Sequence, residues 1–267
     1  MSLQLHVHLL PALIEDDLLR DSTAVIIDIL RASSTMTTAL HNGASRVIPC
    51  GTPEEAFLIR DQNEAGTVVL GGERGGLKIA GFDFGNSPAE YDSDSVRGRT
   101  VAFTTTNGTK ALLKALQARE ILVGAFLNRQ AIIDRLARDQ RVSHLICAGT
   151  NGVITGEDVL FAGAVVDGLM RRSFANLRSG CSWSLNDCAE IARGFWRQSV
   201  GDTVDAVSSH NDQVFSVNIE ATMKRSRGGR NLLSLGYDSD ISLCSQLDTT
   251  RLIPEFHRDQ QCLLAAE

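Results

Sequence analysis

Ala24-Val-Ile-Ile-Asp-Ile-Leu-Arg-Ala-Ser-Ser-Thr-Met-Thr-Thr-Ala-Leu40 decides how the rest of the chain is read. It opens as a continuous apolar run, Ala24 to Ile27, of the kind expected from a strand buried on both faces. Asp28 and Arg31 stand just past that run, followed by Ser33, Ser34 and Thr35. A carboxylate beside buried backbone costs several kcal/mol unless a cation or strong donors answer it. Asp28 is therefore structural, paired with Arg31, or a metal ligand at a strand's C-terminal end. The hydroxyl cluster before Met36 would cap a helix whose free N–H groups and positive dipole end attract an anion. Carboxylate, guanidinium and helix start together point to phosphate chemistry with a divalent metal.

Outward from this stretch the same unit recurs. Leu3 to Leu9 alternates as a strand, with His6 and His8 on its polar face; a half-exposed face and a metal pair are the two readings of those histidines. Ala24 to Leu30 is the next strand, Thr35 to Leu40 a helix stopped by Asn42-Gly43, and Arg46 to Cys50 a strand. Thr52-Pro-Glu-Glu starts a helix through Gln62, with Thr as N-cap and acids in the first turn. Thr67 to Leu70 is a strand running into Gly71-Gly-Glu-Arg-Gly-Gly76 and a long segment, Leu77 to Tyr91, of the length usually reserved for a functional loop.

The second copy reads strand Thr100–Phe103, a polar turn through Thr109, helix Lys110–Leu116, strand Glu120–Gly124 and helix Asn128–Ala137. Ala44-Ser-Arg-Val-Ile-Pro falls on Ala118-Arg-Glu-Ile-Leu-Val at a spacing of 74 residues. A third strand, His144 to Cys147, leads into Ala148-Gly-Thr-Asn-Gly152 and a helix from Glu157 to Met170. The pattern predicts an α/β architecture with an internal duplication, its three polar turns gathered at strand C-terminal ends, where ligands of α/β sheets sit. Beyond Arg171, Leu185–Trp196, Asp202–Val214 and Ile219–Lys224 look helical. Ser226-Arg-Gly-Gly-Arg230 reads as a break, and Tyr237–Cys244 and Arg251–Pro254 as strand or coil.

Composition narrows the partners. A net charge of −6 disfavours nucleic acid or an anionic membrane, so any anionic ligand must be held by locally placed Arg and Lys. No apolar run approaches the ~20 residues of a membrane span, and Met1 to Leu10 lacks the basic start of a signal peptide. Six scattered cysteines without Cys-x-x-Cys spacing suggest free thiols in a reducing cytoplasm. The P-loop, the dinucleotide fingerprint and the nucleophile elbow are all absent.

Each candidate site residue has a plainer reading beside it. Glu73 and Arg74, bracketed by Gly-Gly pairs, are a ligand contact or a solvated turn. Thr106, Asn107 and Thr109 are anion donors or an ordinary cap. Glu157 and Asp158 answer a helix dipole, with Thr155 and Asp158 resembling a capping box, or they join Asp28 on one edge as magnesium ligands. Cys147 is a core thiol or a nucleophile. Arg225, Arg227 and Arg230 are a solvated loop or a clamp on a second anionic group.

Asp28-Ile-Leu-Arg-Ala-Ser-Ser-Thr35, Gly72-Glu-Arg-Gly-Gly76 with Gly81-Phe-Asp-Phe-Gly-Asn-Ser-Pro88, Thr105-Thr-Asn-Gly-Thr109, Cys147-Ala-Gly149 with Gly156-Glu-Asp158, and Ser226-Arg-Gly-Gly-Arg-Asn-Leu232 together resemble the 2-phosphosulfolactate phosphatase (ComB) family. The resemblance implies a layered α/β/α fold of two similar subdomains in a single catalytic unit, residues 1–267. It also implies a Mg2+-dependent phosphomonoester hydrolase that converts 2-phospho-3-sulfolactate to 3-sulfolactate and phosphate, a step that can lead to coenzyme M. On this reading Asp28, Glu157 and Asp158 organise the metal, and Asp28, Glu73 and Arg31 carry the chemistry. Ser33, Ser34, Arg74, Thr106, Asn107, Thr109, Arg227 and Arg230 would hold the substrate. The rivals are a phosphatase for another small phosphorylated hydroxy acid and a noncatalytic phosphate-ester-binding protein. Assembly as a homo-oligomer is compatible with all three.

Overall fold

A computed structural model describes residues 2–15, 17–175, 182–200 and 211–266 of the chain. Its first repeat is Thr23–Ile27 (β2), Ala32–His41 (α1), Arg46–Cys50 (β3), Pro53–Asp61 (α2) and Val68–Arg74 (β4), preceded by Ser2–His8 (β1). The short strand Leu77–Lys78 (β5) and helix Ser93–Val96 (α3) lie in the glycine-rich connection. The second repeat is Thr100–Thr104 (β6), Gly108–Ala115 (α4), Glu120–Gly124 (β7), Arg129–Arg138 (α5) and Ser143–Cys147 (β8). Gly156–Ala175 (α6), Ser182–Leu185 (β9), Asp187–Val200 (α7), Asn211–Arg225 (α8), Arg227–Ser234 (α9), Asp238–Cys244 (α10), Ile253–His257 (β10) and Cys262–Ala266 (β11) complete the chain.

All the named strands join one sheet in the order β5-β4-β6-β3-β11-β10-β7-β2-β8-β1-β9. The equivalent strands of the two repeats are β2 and β6, β3 and β7, and β4 and β8. Each repeat's first strand therefore lies between the second and third strands of the other, as β4-β6-β3 and as β7-β2-β8. Both groups are parallel internally. The antiparallel hairpin β10–β11 bridges them through one residue pair on each side, Glu255 opposite Leu122 and Leu263 opposite Val47.

The central strands are buried on both faces, which is why β2 reads Thr-Ala-Val-Ile-Ile without a polar alternation. Val25 and Ile27 pack with Leu145 and Cys147 against α5, α6 and α7. Ala24 and Ile26 face the other way, toward Met36 and Ala39 of α1 and Ala111 of α4. The fold is thus α/β with a large, mostly parallel sheet between helical layers. Thr52 caps α2 as its sequence predicts, its hydroxyl accepting from the Glu55 N–H at 3.3 Å.

Three segments differ from the sequence reading. Tyr237–Cys244, expected as strand or coil, contains the helix α10. The break at 226–230 is a helix start, with Ser226 capping α9 through the Gly229 N–H. Of the helix expected at Asp202–Val214, residues 202–210 lie outside the described residues, and α8 is present from Asn211. Among the described residues no helix is long and apolar enough to cross a membrane.

Candidate active site

The turns after β2, β6 and β8 meet, and a cavity of about 340 Å³ opens there. Asp28, Arg31, Glu73, Thr106 and Asn107 line it, joined by Asn86, Thr150 and Asn151, which sequence reasoning had not placed in the site. Asn86 lies within the glycine-rich motif itself, 5% exposed, and its Oδ1 has no hydrogen-bond partner. Asn107 Oδ1 accepts from the Asn151 N–H at 3.1 Å, which ties the second polar turn to the third.

The carboxylates crowd together. Burial pushes Asp28 up to about 7, and the charges of Glu73 and Glu157 add to the rise, against the pull of the Gly108 and Ala32 N–H groups. Burial also raises Glu157, against the nearby Ser226 hydroxyl and the backbone at the start of α9. Asp158 stands well above the ordinary aspartate range through burial, then through the charges of Glu157 and Asp28.

These four acids differ in what their oxygens already do. Asp158 Oδ1 accepts from the Ile29 N–H at 2.9 Å, and its Oδ2 accepts from the Gly149 N–H at 2.9 Å and the Thr155 hydroxyl at 3.2 Å. It thereby pins the turn after β2 to the turn after β8. Glu73 accepts from the Gly76 N–H at 2.7 Å and the Thr106 N–H at 3.2 Å, holding the glycine-rich turn against the start of α4. Glu157 is buried, and its Oε2 has no partner. Asp28 and Glu157 are thus the two carboxylates with oxygen to offer.

Arg31 is buried beside the cavity, where it forms an ion pair with Asp240 of α10 at 2.5 Å and donates to the Gly76 carbonyl at 2.9 Å. Nothing in the sequence marked Asp240, since its stretch carries no motif. The Ser33 hydroxyl accepts from the Asp28 N–H at 2.9 Å and that of Ser34 donates to the Ile29 carbonyl at 3.0 Å, so both hydroxyls shape the turn. Arg31, whose side chain makes no capping bond, takes the N-cap place expected of the hydroxyls. Thr109 sits in a separate small apolar pocket, and Arg74 donates to the Glu73 and Gly51 carbonyls away from the cavity lining. Arg227 and Arg230 are exposed and also outside the lining, although Gly228 between them is part of it.

No group of three or more His, Cys, Asp or Glu side chains among the described residues is arranged as a ready metal cage. His6, His8 and His144 stack face to face with ring centroids 5.1 to 6.4 Å apart. His8 Nε2 lies 2.9 Å from His144 Nδ1, and both residues are buried rather than on a solvated face. Cys147 is a core thiol, pushed up by burial and then by Asp158.

Comparison with known proteins gives the family. The family model for 2-phosphosulpholactate phosphatase matches residues 8–259. A probable 2-phosphosulfolactate phosphatase of Thermotoga petrophila is 38% identical over 232 residues, covering 87% of this chain and 88% of its own. Another from Caldanaerobacter subterraneus subsp. tengcongensis is 35% identical over 242 residues, covering 91% and 90%. A third, from Clostridium acetobutylicum, is 34% identical over 243 residues, covering 91% and 93%. With a match of this extent, the chain belongs to the 2-phosphosulpholactate phosphatase family.

Proposed function

We propose that this chain hydrolyses the phosphate monoester of 2-phospho-3-sulfolactate, giving 3-sulfolactate and inorganic phosphate, with Mg2+ as cofactor. The observation that carries the reading is the charge of the cavity. Asp28 and Glu73 line it, Glu157 stands behind them, and Arg31, the one lining cation among the described residues, is already neutralised by Asp240. A substrate bearing phosphate, sulfonate and carboxylate brings about four further negative charges. Such a polyanion enters an acidic pocket only with a counter-cation.

The residues fit a magnesium ion on their own chemistry. The donors are all oxygen, and the orphaned Oε2 of buried Glu157 lacks the partner that a buried carboxylate needs. Magnesium commonly takes one or two carboxylates, with water and substrate phosphate filling the remaining positions, so a complete protein cage is not required. Asp28 and Glu157 would hold the ion, while Asp158 fixes the two turns that bring them together. When bound, the ion withdraws charge from the phosphoryl group.

The chain's own groups do the rest. Thr106 and Asn107 present hydroxyl and side-chain amide donors to phosphoryl oxygens at the start of α4, while the Asn151 N–H holds Asn107 in place. Asp28, on the cavity wall, orients the water that attacks phosphorus and accepts its proton. Arg31 and Asn86 face the rest of the substrate. Phosphate release from 2-phospho-3-sulfolactate, compared with 2-phospholactate, tests the reading. A preference for the sulfonated ester is expected, and equal efficiency on both would move the assignment to another phosphorylated hydroxy acid.

A further inference from the structure

Arg31 is held from three sides. Its NH1 meets Asp240 Oδ2 at 2.5 Å, its NH2 meets the Gly76 carbonyl at 2.9 Å, and its guanidinium lies 4.3 Å from the centroid of the Tyr237 ring. Both members of the ion pair are nearly sealed from solvent, with side chains 2% exposed. Asp240 does not line the cavity, whereas Arg31 does. The other oxygen of Asp240 accepts from the Ser87 hydroxyl at 2.6 Å, and Ser87 follows Asn86, the lining amide with an unpartnered oxygen. One carboxylate on α10 therefore anchors the arginine and the glycine-rich segment at once.

We propose that Asp240 is a positioning residue for substrate binding: through a buried ion pair it fixes the plane of Arg31, so that the remaining guanidinium N–H groups face an oxyanion of the substrate. This rests on the reading of the cavity as a site for a polyanionic ester. An arginine locked in place before the ligand arrives loses little side-chain freedom on binding. With Asp240 cancelling its charge, Arg31 contributes directed hydrogen bonds rather than net attraction. The cavity's acidity therefore remains for the cation to answer. Asp240 supplies geometry and touches no reacting atom, so its removal acts on KM and leaves the chemical step largely intact.

The test is a cycle of Arg31→Met, Asp240→Asn and Arg31→Met/Asp240→Asn in the full chain, with phosphate release from 2-phospho-3-sulfolactate as the readout and thermal melting as the folding control. The expected result is a KM about tenfold higher for Asp240→Asn with kcat within about threefold of the parent. The double variant, which removes both charges together and so avoids a stranded buried ion, should match Arg31→Met alone. A KM unchanged by Asp240→Asn, or a double variant whose loss is the product of two independent losses, overturns the proposal. Should Asp240→Asn fail to fold, the comparison of the double variant with Arg31→Met decides in the same way. A parent chain that releases no phosphate would refute the substrate reading instead. Asp240 would then be judged by the rise in Tm that sulfate gives the parent, which Asp240→Asn should lose and which, if retained, removes Asp240 from anion binding.

Discussion

Asp28 Oδ2 lies 3.1 Å from the point that a Cβ on Gly108 would occupy. Asp28 follows the first strand of one repeat and Gly108 opens the helix after the first strand of the other, so the two halves of the chain meet carboxylate to backbone. Gly108→Ala is unstrained in its backbone and suits a helix, but it crowds the carboxylate by a few tenths of an ångström. Melting should be unchanged or slightly higher while kcat/KM falls about tenfold, because a small misplacement of a reacting group is costly. Unaltered kinetics would show that this contact does not position Asp28.

Gly228 bears on Glu157, the other carboxylate proposed to hold the ion. A Cβ there would sit 2.0 Å from Glu157 Oε1, the mobile end of a side chain, so the carboxylate must move rather than the helix. Gly228→Ala should raise the Mg2+ concentration for half-maximal activity about tenfold, with Tm within ~4 °C of the parent. Magnesium titrations of phosphate release measure this directly, and an unchanged requirement would take Glu157 out of the ion's coordination.

Asp158→Asn separates a strut from a ligand. The amide must place an NH2 group against one of the two backbone N–H donors that Asp158 now receives, from Ile29 and Gly149. A loss of ~1–3 kcal/mol is expected, seen as a lower Tm. The magnesium requirement of the folded fraction should stay within about twofold. A selective loss of magnesium response at unchanged Tm would make Asp158 a ligand.

The histidine stack should set the acid limit of stability. Burial holds His8 down at about 4 and His144 at about 3, against 6.5 for the free side chain. Below 6.5 the unfolded chain takes up protons that the native state refuses, so stability falls as pH drops toward 4. Asp28, raised from 3.8 to about 7, acts with the opposite sign, since the native state keeps a proton that the unfolded chain releases between those values. The two effects overlap, so each is read from its own variant. His8→Gln should recover ~2 kcal/mol relative to the parent between about pH 8 and pH 4.5, visible as converging Tm curves. Parallel curves would mean that the stack is protonated without penalty.

Much of the fold and site was legible because the chemistry is concentrated at strand ends. The unbroken apolar run before Asp28 gave β2, and the echo of Arg46 in Glu120 gave β3 and β7 as equivalents. An apolar run shows that a strand is buried on both faces but not which strands bury it, so the exchange of β2 and β6 between repeats was invisible. Asp28 stood out as a carboxylate after an apolar run, Glu73, Thr106 and Asn107 as polar residues in glycine-bearing turns, and all of them share the cavity. Arg74 at the end of β4 and Arg227 and Arg230 on the exposed face of α9 carried the same signal outside the cavity lining, and charge alone does not tell the two apart. Asp240 escaped because α10 is short and its sequence, Asp-Ser-Asp-Ile-Ser-Leu-Cys, favours turns as much as helix. Its importance comes from a contact with a residue more than two hundred positions away.

The most direct measurement is phosphate release from 2-phospho-3-sulfolactate by the purified chain, before and after treatment with a chelator and again after adding Mg2+. Carboxylates gathered around one divalent ion predict turnover that vanishes with the chelator and returns with magnesium. Turnover indifferent to the chelator, or none in the presence of magnesium, would contradict the account.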